Sequence, residues 1–378
     1  MPIEAPACLP SEPLAGLDHW ATALRRLSRR TLTTCETFPD IAERFERWWT
    51  RSDTDRPVFI ASYGADMGGY RGRRLELLEN EDRWFEAKWD DMRRTRYVGD
   101  AIPMIRLDLG PAALGAIVGA PVTVDENTAW TGAFIRDDWA NAPDWRLKGE
   151  WWLRFQRLLH RVAEHASGRY LVCLPDLGGA ADPLLNMRGP ESLCMDALEQ
   201  PERIRAALDD AYEAWRRAIA RCYEIVLSHG AGLVHWLMVW SDRPYILPTC
   251  DVNFMLGPEA FRDIFLPDLA RQAQTVERTL YHLDGPGAAR HIDALLEVPA
   301  ITAIQFTPGA GTPSALEWTG MFRRIQAAGR PLVIVCPVDE VLPICERLEP
   351  QGLALIVDPA APERTEEVFD DLHRRFDR

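Results

Sequence analysis

The chain has 378 residues, of which 47% are hydrophobic, and its formal net charge at pH 7 is −14. The hydrophobic fraction is typical of a globular protein with a large core. The negative charge excludes broad binding to nucleic acid or to an anionic membrane, because both partners require a basic surface. The cysteines form no CxxC pair, so we expect them to be reduced thiols of a cytoplasmic protein.

The first segment of the chain, residues 1–56, is predicted to be a helical extension that caps the rest of the molecule. Ten of the 14 tryptophans lie within residues 1–152, mostly in this cap and in the segments 64–100 and 110–169. Two interpretations of these tryptophans stay open. They either pack the cap against its neighbours or form an aromatic wall over a binding site.

Apolar runs separated by helical patterns fill residues 57–378. Near-continuous apolar runs are typical of parallel strands that are buried on both faces. The eight runs are 57–63, 101–109, 170–177, 232–240, 279–284, 301–307, 331–337 and 353–358. Between the fourth and fifth runs, the helical pattern contains Pro267, which should kink or split the helix. This alternation predicts an α/β fold, a (β/α)₈ TIM barrel with long insertions after strands 1 and 2, and a doubly wound open sheet is the competing architecture.

In a barrel of this kind, the side chains at the carboxyl ends of the strands converge on one cavity. The predicted strand ends are acidic, and buried carboxylates need a metal, a cationic substrate group or arginines as partners. Arg106 and Arg188 are the candidate arginines. Some of the aspartates have an alternative role as helix N-caps. The residues at the strand ends are Tyr63, Asp108, Asp176, Trp240 with Asp242, His282 with Asp284, Gln305 with Thr307, Cys336 and Asp358.

His282 and Asp284 are two residues apart on a predicted strand, so both side chains point to the same face. Imidazole and carboxylate groups both bind zinc and other divalent metals. A metal site needs further ligands, and the candidates in the sequence are Cys336, Cys250, Asp242 and Asp251. Without a metal, His282 would be a hydrogen-bonding residue that a nearby carboxylate holds in place.

Several segments of the chain resemble the uroporphyrinogen decarboxylase superfamily, which also contains methylcobamide-dependent methyltransferases. The segments are 45–59 (FERWWTRSDTDRPVF), 175–204 (PDLGGAADPLLNMRGPESLCMDALEQPERI), 250–272 (CDVNFMLGPEAFRDIFLPDLARQ) and 281–287 (YHLDGPG). The resemblance spans roughly residues 40–370. It implies a (β/α)₈ barrel with a deep cleft at the carboxyl ends of the strands.

The resemblance implies two competing chemistries. The decarboxylases have an arginine-rich loop directly after the first strand, whereas the arginines of this chain come later, at 71, 73 and 74; Asp108 matches their carboxylate on strand 2. The methyltransferases bind zinc through a histidine, a cysteine two residues later and a cysteine near the last strand. His282 occupies the histidine position, but Asp284 replaces the first cysteine, and the last predicted strand has no cysteine.

We therefore expect a methyltransferase that acts on a small molecule, with a corrinoid (cobalamin) on a partner protein as methyl donor. The resemblance also implies a divalent metal, zinc or another, and a homodimer. His282, Asp284 and Cys336 would hold the metal, while Asp108 and Asp176 would stabilise positive charge or move protons. The predicted substrate-binding residues are Tyr63, Arg106, Arg188, Trp240 and Gln305.

Two alternatives stay open at the level of the sequence. The first is a decarboxylase or other lyase that acts on a small carboxylic acid, with Arg106 or Arg188 holding the carboxylate and Asp108 facing the developing charge. The second is a non-catalytic protein that binds a corrinoid or another tetrapyrrole, for which a tryptophan-rich cap would suit the flat ligand.

Overall fold

The computed structural model describes residues 13–63, 79–107, 110–125, 128–309, 314–358 and 361–376. The strands within these ranges are β1 Val58–Tyr63, β2 Arg96–Gly99, β3 Met104–Arg106, β4 Val122–Val124, β5 Ala129–Thr131, β6 Leu171–Cys173, β7 Gly232–Val234, β8 Tyr245–Ile246, β9 Arg278–Asp284, β10 Ala303–Thr307, β11 Leu332–Pro337 and β12 Leu353–Asp358.

Helices follow most of these strands along the chain. They are α1 Leu17–Leu27, α2 Phe38–Thr50, α3 Glu81–Arg94, α4 Ala113–Ile117, α5 Gly149–Ala166, α6 Ala181–Arg188, α7 Pro190–Glu199, α8 Pro201–Ser228, α9 Pro258–Ala260, α10 Leu266–Ala273, α11 Gly285–Ala288, α12 Ile292–Leu296, α13 Thr319–Ala327, α14 Val341–Cys345 and α15 Pro362–Phe376. None of the described helices is long and apolar enough to cross a membrane.

The larger strands form two mainly parallel sheets. One sheet has the order β2-β1-β12-β11-β10-β9-β8 and the other β3-β6-β7, while β4 and β5 form a separate antiparallel pair. Within the large sheet only β2 runs antiparallel to its neighbour β1. The buried apolar residues of the sheets, together with the inner faces of the helices, form the hydrophobic core. The fold is therefore of the α/β class, as the alternating sequence pattern predicts.

Each of the eight predicted apolar runs contains a strand, but three of the strands are much shorter than predicted. The run 101–109 contains only β3, and Asp108 lies outside the described residues. The run 232–240 contains only β7, because the chain turns at Met238, whose φ is 61°, and the backbone N–H of His235 donates to the Tyr245 hydroxyl at 2.9 Å. The prediction that Trp240 ends a strand is therefore wrong.

The helical segment that contains Pro267 runs from Pro258 to Ala273, and it is irregular just before the proline. The segment Phe261–Phe265 forms a π-helical turn directly before α10. A proline within a helix lacks the N–H for the usual hydrogen bond and crowds the preceding turn, and a wider turn relieves both problems.

The N-terminal helices cover the amino ends of the strands. The Trp48 indole on α2 donates to the carbonyl of Leu332, the first residue of β11, at 3.3 Å. Glu46, also on α2, accepts two hydrogen bonds from Arg278, the first residue of β9, at 2.7 Å. The carboxyl ends of β9 and β11 lie roughly 20 Å away, at a rise of about 3.3 Å per residue.

The tryptophans of this extension are packing residues. Trp20 and Trp48 are 4% and 2% exposed, Trp20 stacks on Tyr223, and Trp48 packs edge-on against Trp49. Because they bury the extension against the amino ends of the strands, they do not form a wall over the opposite, carboxyl ends.

A buried ion pair fixes the entry to β1. Asp100 is 1% exposed, and it accepts hydrogen bonds from Arg56 at 2.6 Å, Arg44 at 3.1 Å and the Phe59 backbone at 2.9 Å. Removing one partner of such a pair leaves an uncompensated buried charge. Asp100 therefore ties α2, β1 and the turn after β2 together.

We predict that Trp48→Ala destabilises the protein by about 3–5 kcal/mol, the usual cost of removing a fully buried tryptophan. The measurement is the free energy of unfolding in denaturant. The matched control is Trp130→Ala, because the Trp130 side chain is 41% exposed and its loss should cost less than about 1 kcal/mol. Equal losses for the two variants would show that α2 does not bury Trp48 against β11.

Candidate active site

The pairing of β9 with β10 brings four polar side chains to the carboxyl end of the large sheet. His282 lies opposite Gln305, and Asp284 lies opposite Thr307. Residues two apart on a strand share a face, so all four side chains lie on one face of this strand pair. His282 and Gln305 are buried, whereas Asp284 is exposed. The predicted placement of His282 and Asp284 on one face is confirmed.

The side chain of Gln305 orients the imidazole of His282. The Gln305 amide nitrogen donates to the Thr307 hydroxyl at 2.7 Å, so its amide oxygen faces His282 Nδ1, with which it forms a hydrogen bond. In this arrangement Nδ1 carries the proton and Nε2 keeps its lone pair. A histidine held in this way can accept a proton, or bind a metal ion, through Nε2.

Trp236 lies on the other side of the His282 ring. The two rings meet edge-to-face, with their centroids 4.9 Å apart and their planes at 81°. Trp236 comes from the turn that follows β7, the segment that the sequence predicted to be part of a longer strand. The imidazole is thus held between a hydrogen bond and an aromatic contact.

Two aspartates, the half-buried Asp176 and the buried Asp182, lie near His282. Asp176 accepts a hydrogen bond from the Gly178 backbone at 2.9 Å. Asp182, at the start of α6, accepts hydrogen bonds from the backbone N–H groups of Gly179 at 2.9 Å and Asp251 at 2.8 Å. Burial raises the pKa of both carboxyls, and the positive charge of His282 in its protonated form opposes that rise.

Asp251 adds a carboxyl with a strongly shifted pKa. Its side chain is exposed to a cavity, yet protein crowds it on most sides. This loss of hydration, together with the negative charges of Asp182, Asp284 and Asp176, raises the pKa of Asp251 to about 8. A carboxyl with a pKa in this range keeps its proton to a higher pH than an ordinary aspartate does.

A cavity of about 720 Å³ opens next to these carboxyls. Asp251 and Asp284 supply its acidic lining, and Phe254 and Met255 supply an apolar side. Phe254 and Met255 are 50% and 44% exposed, which is unusual for large apolar side chains. Gly287 allows this arrangement, because a Cβ there would lie 2.5 Å from the Phe254 ring.

A second cavity, of about 530 Å³, lies beside the first at the ends of β10, β11 and β12. Both cavities are lined by Gly309. Cys336, Glu340 and Asp358 belong to the lining of the second cavity. A chain of cavities thus follows the carboxyl ends of β9 to β12, which is where α/β proteins of parallel strands place their ligands.

The structure does not bring Cys336 together with His282. Gln305, which shares the face of His282, pairs with Val333, and Cys336 is three residues further along β11, on the opposite face. Burial raises the pKa of the Cys336 thiol well above its usual range. A protonated, buried thiol is a poor metal ligand.

Other predicted site residues are engaged elsewhere. Tyr63 is hydrogen-bonded to Glu366 on α15. Trp240 is fully buried and donates to the Ser28 hydroxyl beside α1 at 3.1 Å. Arg188 forms ion pairs with Asp196 at 2.7 Å and with Asp137.

Arg106 lies at the end of β3 and lines a smaller cavity that also contains Trp236. Its positive charge lowers the pKa of Asp176, although burial has the larger, opposite effect. Asp108 was predicted to be catalytic, and it lies outside the described residues.

Asp182 is a site residue that the sequence analysis missed. The signal was the pair Gly178–Gly179 before it: a Cβ on Gly179 would lie 2.1 Å from the Thr249 carbonyl oxygen. Such a close approach of two backbone segments at a strand end indicates that the loops after β6 and β8 are packed together. Asp182 joins these loops.

Comparison with known proteins supports the fold. No protein family and no curated protein sequence matches the chain. Among solved structures, a methyltransferase from Methanosarcina mazei is similar, with a TM-score of 0.55 and 13% sequence identity. The similarity covers 89% of this chain and 99% of that one. At this identity the similarity shows a shared fold.

We predict that Asp251→Asn changes the pH dependence of stability. Because the pKa of Asp251 is raised in the folded state, the native carboxyl holds a proton after the unfolded one has lost it, and stability falls as pH rises from about 4 to about 8. The stability of the Asp251→Asn variant should therefore fall less steeply over this pH range. Its free energy of unfolding relative to the native protein should rise by about 0.5–1 kcal/mol over that range, since cavity water screens the effect.

The matched control for this measurement is Asp210→Asn, which changes an exposed carboxyl on α8. Unfolding is followed in denaturant at pH 4, 6 and 8.5. If the Asp251 and Asp210 variants have parallel pH profiles, Asp251 has no raised pKa in the folded protein.

Proposed function

We propose that this protein is an enzyme of the methyltransferase-like branch of the uroporphyrinogen decarboxylase superfamily, and that it acts on a small molecule. Three facts support the proposal. The fold resembles that of a methyltransferase over nearly the whole of both chains. A buried histidine is oriented by hydrogen bonds at the end of β9. A cavity of a size suited to a small ligand opens beside the carboxyls that surround it.

The proposal includes closure of the two sheets into one (β/α)₈ barrel. At one seam, β7 and β8 are linked by His235, whose Nε2 lies 3.0 Å from the Tyr245 carbonyl oxygen, and by the hydrogen bond from its backbone to the Tyr245 hydroxyl. At the other seam, Asp100 in the turn between β2 and β3 accepts a hydrogen bond from the Phe59 backbone on β1. These contacts support a continuous ring of strands.

In the proposed mechanism, His282 accepts a proton. The nucleophilic group of the substrate, a thiol for example, gives its proton to His282 Nε2 while the methyl group moves to its heteroatom. The hydrogen bond from Nδ1 to Gln305 keeps Nε2 available for this role. The positive charge that develops on the imidazole is stabilised by Asp176 and Asp182. General-base catalysis of this kind contributes roughly 10²–10⁴-fold in rate.

A metal at this site stays a prediction. In the part of the chain that the structure describes, no three histidine, cysteine, aspartate or glutamate side chains converge on one point. His282 and Asp284 share a face, but Cys336 faces away from them. These residues do not form a complete zinc site, because such sites supply at least three protein ligands. We therefore derive no catalytic step through a metal.

The methyl donor in this proposal is a methylated corrinoid on a partner protein. The exposed apolar side chains Phe254 and Met255 at the large cavity, with Met195 and Leu198 on the neighbouring α7, support access by a large partner. The exposed fractions of Met195 and Leu198 are 51% and 67%. Large exposed apolar groups at a cavity are typical of binding surfaces. A homodimer is a further part of the proposal.

Decarboxylation of a small carboxylic acid is the second candidate function. The observation that favours it is the position of Arg106, whose side chain lines a cavity next to Trp236 and acts electrostatically on Asp176. An arginine at such a position suits a carboxylate ligand. In this reaction the carbon–carboxylate bond breaks, carbon dioxide leaves, and a proton replaces it.

We predict that the purified protein transfers the methyl group of methylcobalamin to a thiol. The carbon–cobalt bond breaks, its electron pair stays on cobalt, and the carbon–sulfur bond forms; the change in the visible spectrum and the thioether product are measured. His282→Ala should lower the rate roughly 100-fold or more, because the proton acceptor is lost. The control is His19→Ala, which changes an exposed histidine on α1.

The proposal is contradicted if His282→Ala keeps the full rate. It is also contradicted if the native protein transfers no methyl group to any of a panel of thiols. Elemental analysis of the native protein and of Asp284→Ala tests the metal in the same preparations. Carbon dioxide release from small carboxylic acids, abolished in Asp108→Asn, would instead identify a decarboxylase.

A further inference from the structure

The second cavity, at the carboxyl ends of β10, β11 and β12, takes no part in the proposed proton transfer. Its volume of about 530 Å³ suits a small organic group. Glu340 and Asp358 give its lining two carboxyls, and the described residues of that lining include no lysine, arginine or histidine. The first cavity differs, because Arg290 is part of its lining. The described wall of the second cavity therefore carries negative charge alone.

Glu340 has a carboxylate oxygen that is not hydrogen-bonded. Its Oε2 atom is shielded from solvent, and none of the described residues donates a hydrogen bond to it. A carboxylate oxygen that loses its water normally gains a donor in exchange, because an unpaired buried acceptor is costly. A ligand that brings hydrogen-bond donors into the cavity would satisfy this oxygen.

The two carboxyls lie near one thiol, that of Cys336. Asp358 pairs with Pro337 on the neighbouring strand, and Glu340 lies in the turn that follows β11. Burial raises the pKa of the Cys336 thiol, and the negative charges of Glu340 and Asp358 add to the rise. A thiol with a raised pKa stays protonated and neutral. The cavity thus has two carboxyls on one side and a neutral sulfur between them.

The neutral groups of the lining also favour a ligand that donates hydrogen bonds. Pro308 and Pro337 line the cavity, and a proline has no backbone N–H to offer to an anion. The hydroxyl oxygen of Thr307, also in the lining, is an acceptor in its hydrogen bond with Gln305. An ammonium group has three donors and no acceptor, so it matches a wall of this composition.

The second cavity is connected with the proposed active site. Thr307 lines it and also holds Gln305, which orients His282. Gly309 lines both cavities, so they adjoin. His282 is on β9 and Asp358 on β12, three strands away in the sheet. At about 4.8 Å per strand, a ligand that reaches both residues spans roughly 10–15 Å.

We propose that the second cavity binds an ammonium group of the substrate between Glu340 and Asp358. The substrate class is then a small amine whose nucleophilic group lies about 10–15 Å from the ammonium group and reaches His282. This inference rests on the proposed function in taking His282 as the reacting end. The binding of the ammonium group itself does not depend on methyl transfer.

The test measures binding by calorimetry at pH 7 and constant ionic strength with two probes of equal size, butylammonium and 1-butanol. Butylammonium should bind roughly tenfold more tightly or better, because hydrogen bonds between charged groups are stronger than those of a neutral hydroxyl. Equal binding of the two probes, or no binding of butylammonium, would overturn the inference.

Glu340→Gln keeps the size of the side chain and removes its charge, so it should weaken butylammonium binding roughly tenfold and leave 1-butanol binding unchanged. Asp358→Asn provides a second, independent variant with the same expected direction in case Glu340→Gln does not fold. The matched control is Glu317→Gln, which causes the same loss of net charge at an exposed residue outside the lining.

Three results with these variants would overturn the inference. The first is unchanged butylammonium binding in both Glu340→Gln and Asp358→Asn. The second is an equal loss in Glu317→Gln, which would show an effect of net charge alone. The third is a loss in Asp284→Asn without one in the Glu340 and Asp358 variants, which would place the ammonium group in the first cavity.

The outcomes separate this inference from the proposed function. A protein that binds butylammonium in the expected manner but transfers no methyl group contradicts the proposed function alone. A protein that transfers the methyl group through His282 but does not distinguish butylammonium from 1-butanol contradicts the ammonium site alone.

Discussion

The register of β9 against β10 is the constraint on which the candidate site depends. This register places His282 beside Gln305 and Asp284 beside Thr307, and a shift by one residue would turn all these side chains to the other face. Because Gln305 is itself held by Thr307, the imidazole has one proton position and one free lone pair. The remaining groups of the site, the carboxyls and Trp236, are arranged around a ring that the two strands have already oriented.

The amino and carboxyl ends of the strands differ in their packing and in their charged groups. At the amino ends, Trp48, Glu46 and Arg278 join α2 to the sheet through buried and ion-paired contacts. At the carboxyl ends, the structure keeps cavities, exposed apolar side chains and carboxyls with raised pKa values. Such carboxyls reduce stability near neutral pH. The well-packed end provides the rigidity that allows the other end to keep a costly set of groups.

The sequence was sufficient to predict the α/β class and the location of the strands, because buried parallel strands are continuous apolar runs. The strand predicted over residues 232–240 was too long, because an apolar segment that turns under tertiary contacts has the same composition as a strand. Cys336 was grouped with His282 because both residues lie near the carboxyl end of a strand, but their side chains point to opposite faces of the sheet. The short strand β8 has too few residues for any pattern to identify it.

Within the site, the sequence identified His282, Asp284, Gln305 and Asp176 from the strand ends. It did not identify Asp182, whose role comes from the packing of two loops that are far apart in the chain. Trp236 was also missed, because a tryptophan in a turn has no distinctive spacing. Contacts between distant segments are a property of the folded chain, and the Gly178–Gly179 pair is the one local feature that accompanies the contact at Asp182.

The central claim is that His282 carries its proton on Nδ1 and offers a lone pair at Nε2. The most direct measurement is the set of ¹⁵N chemical shifts of the histidine rings near pH 7.5, with the His282 signals assigned by comparison with the His282→Ala protein. We predict a protonated Nδ1 and an unprotonated Nε2, and loss of this preference in Gln305→Leu. A proton on Nε2 in the native protein would contradict the account.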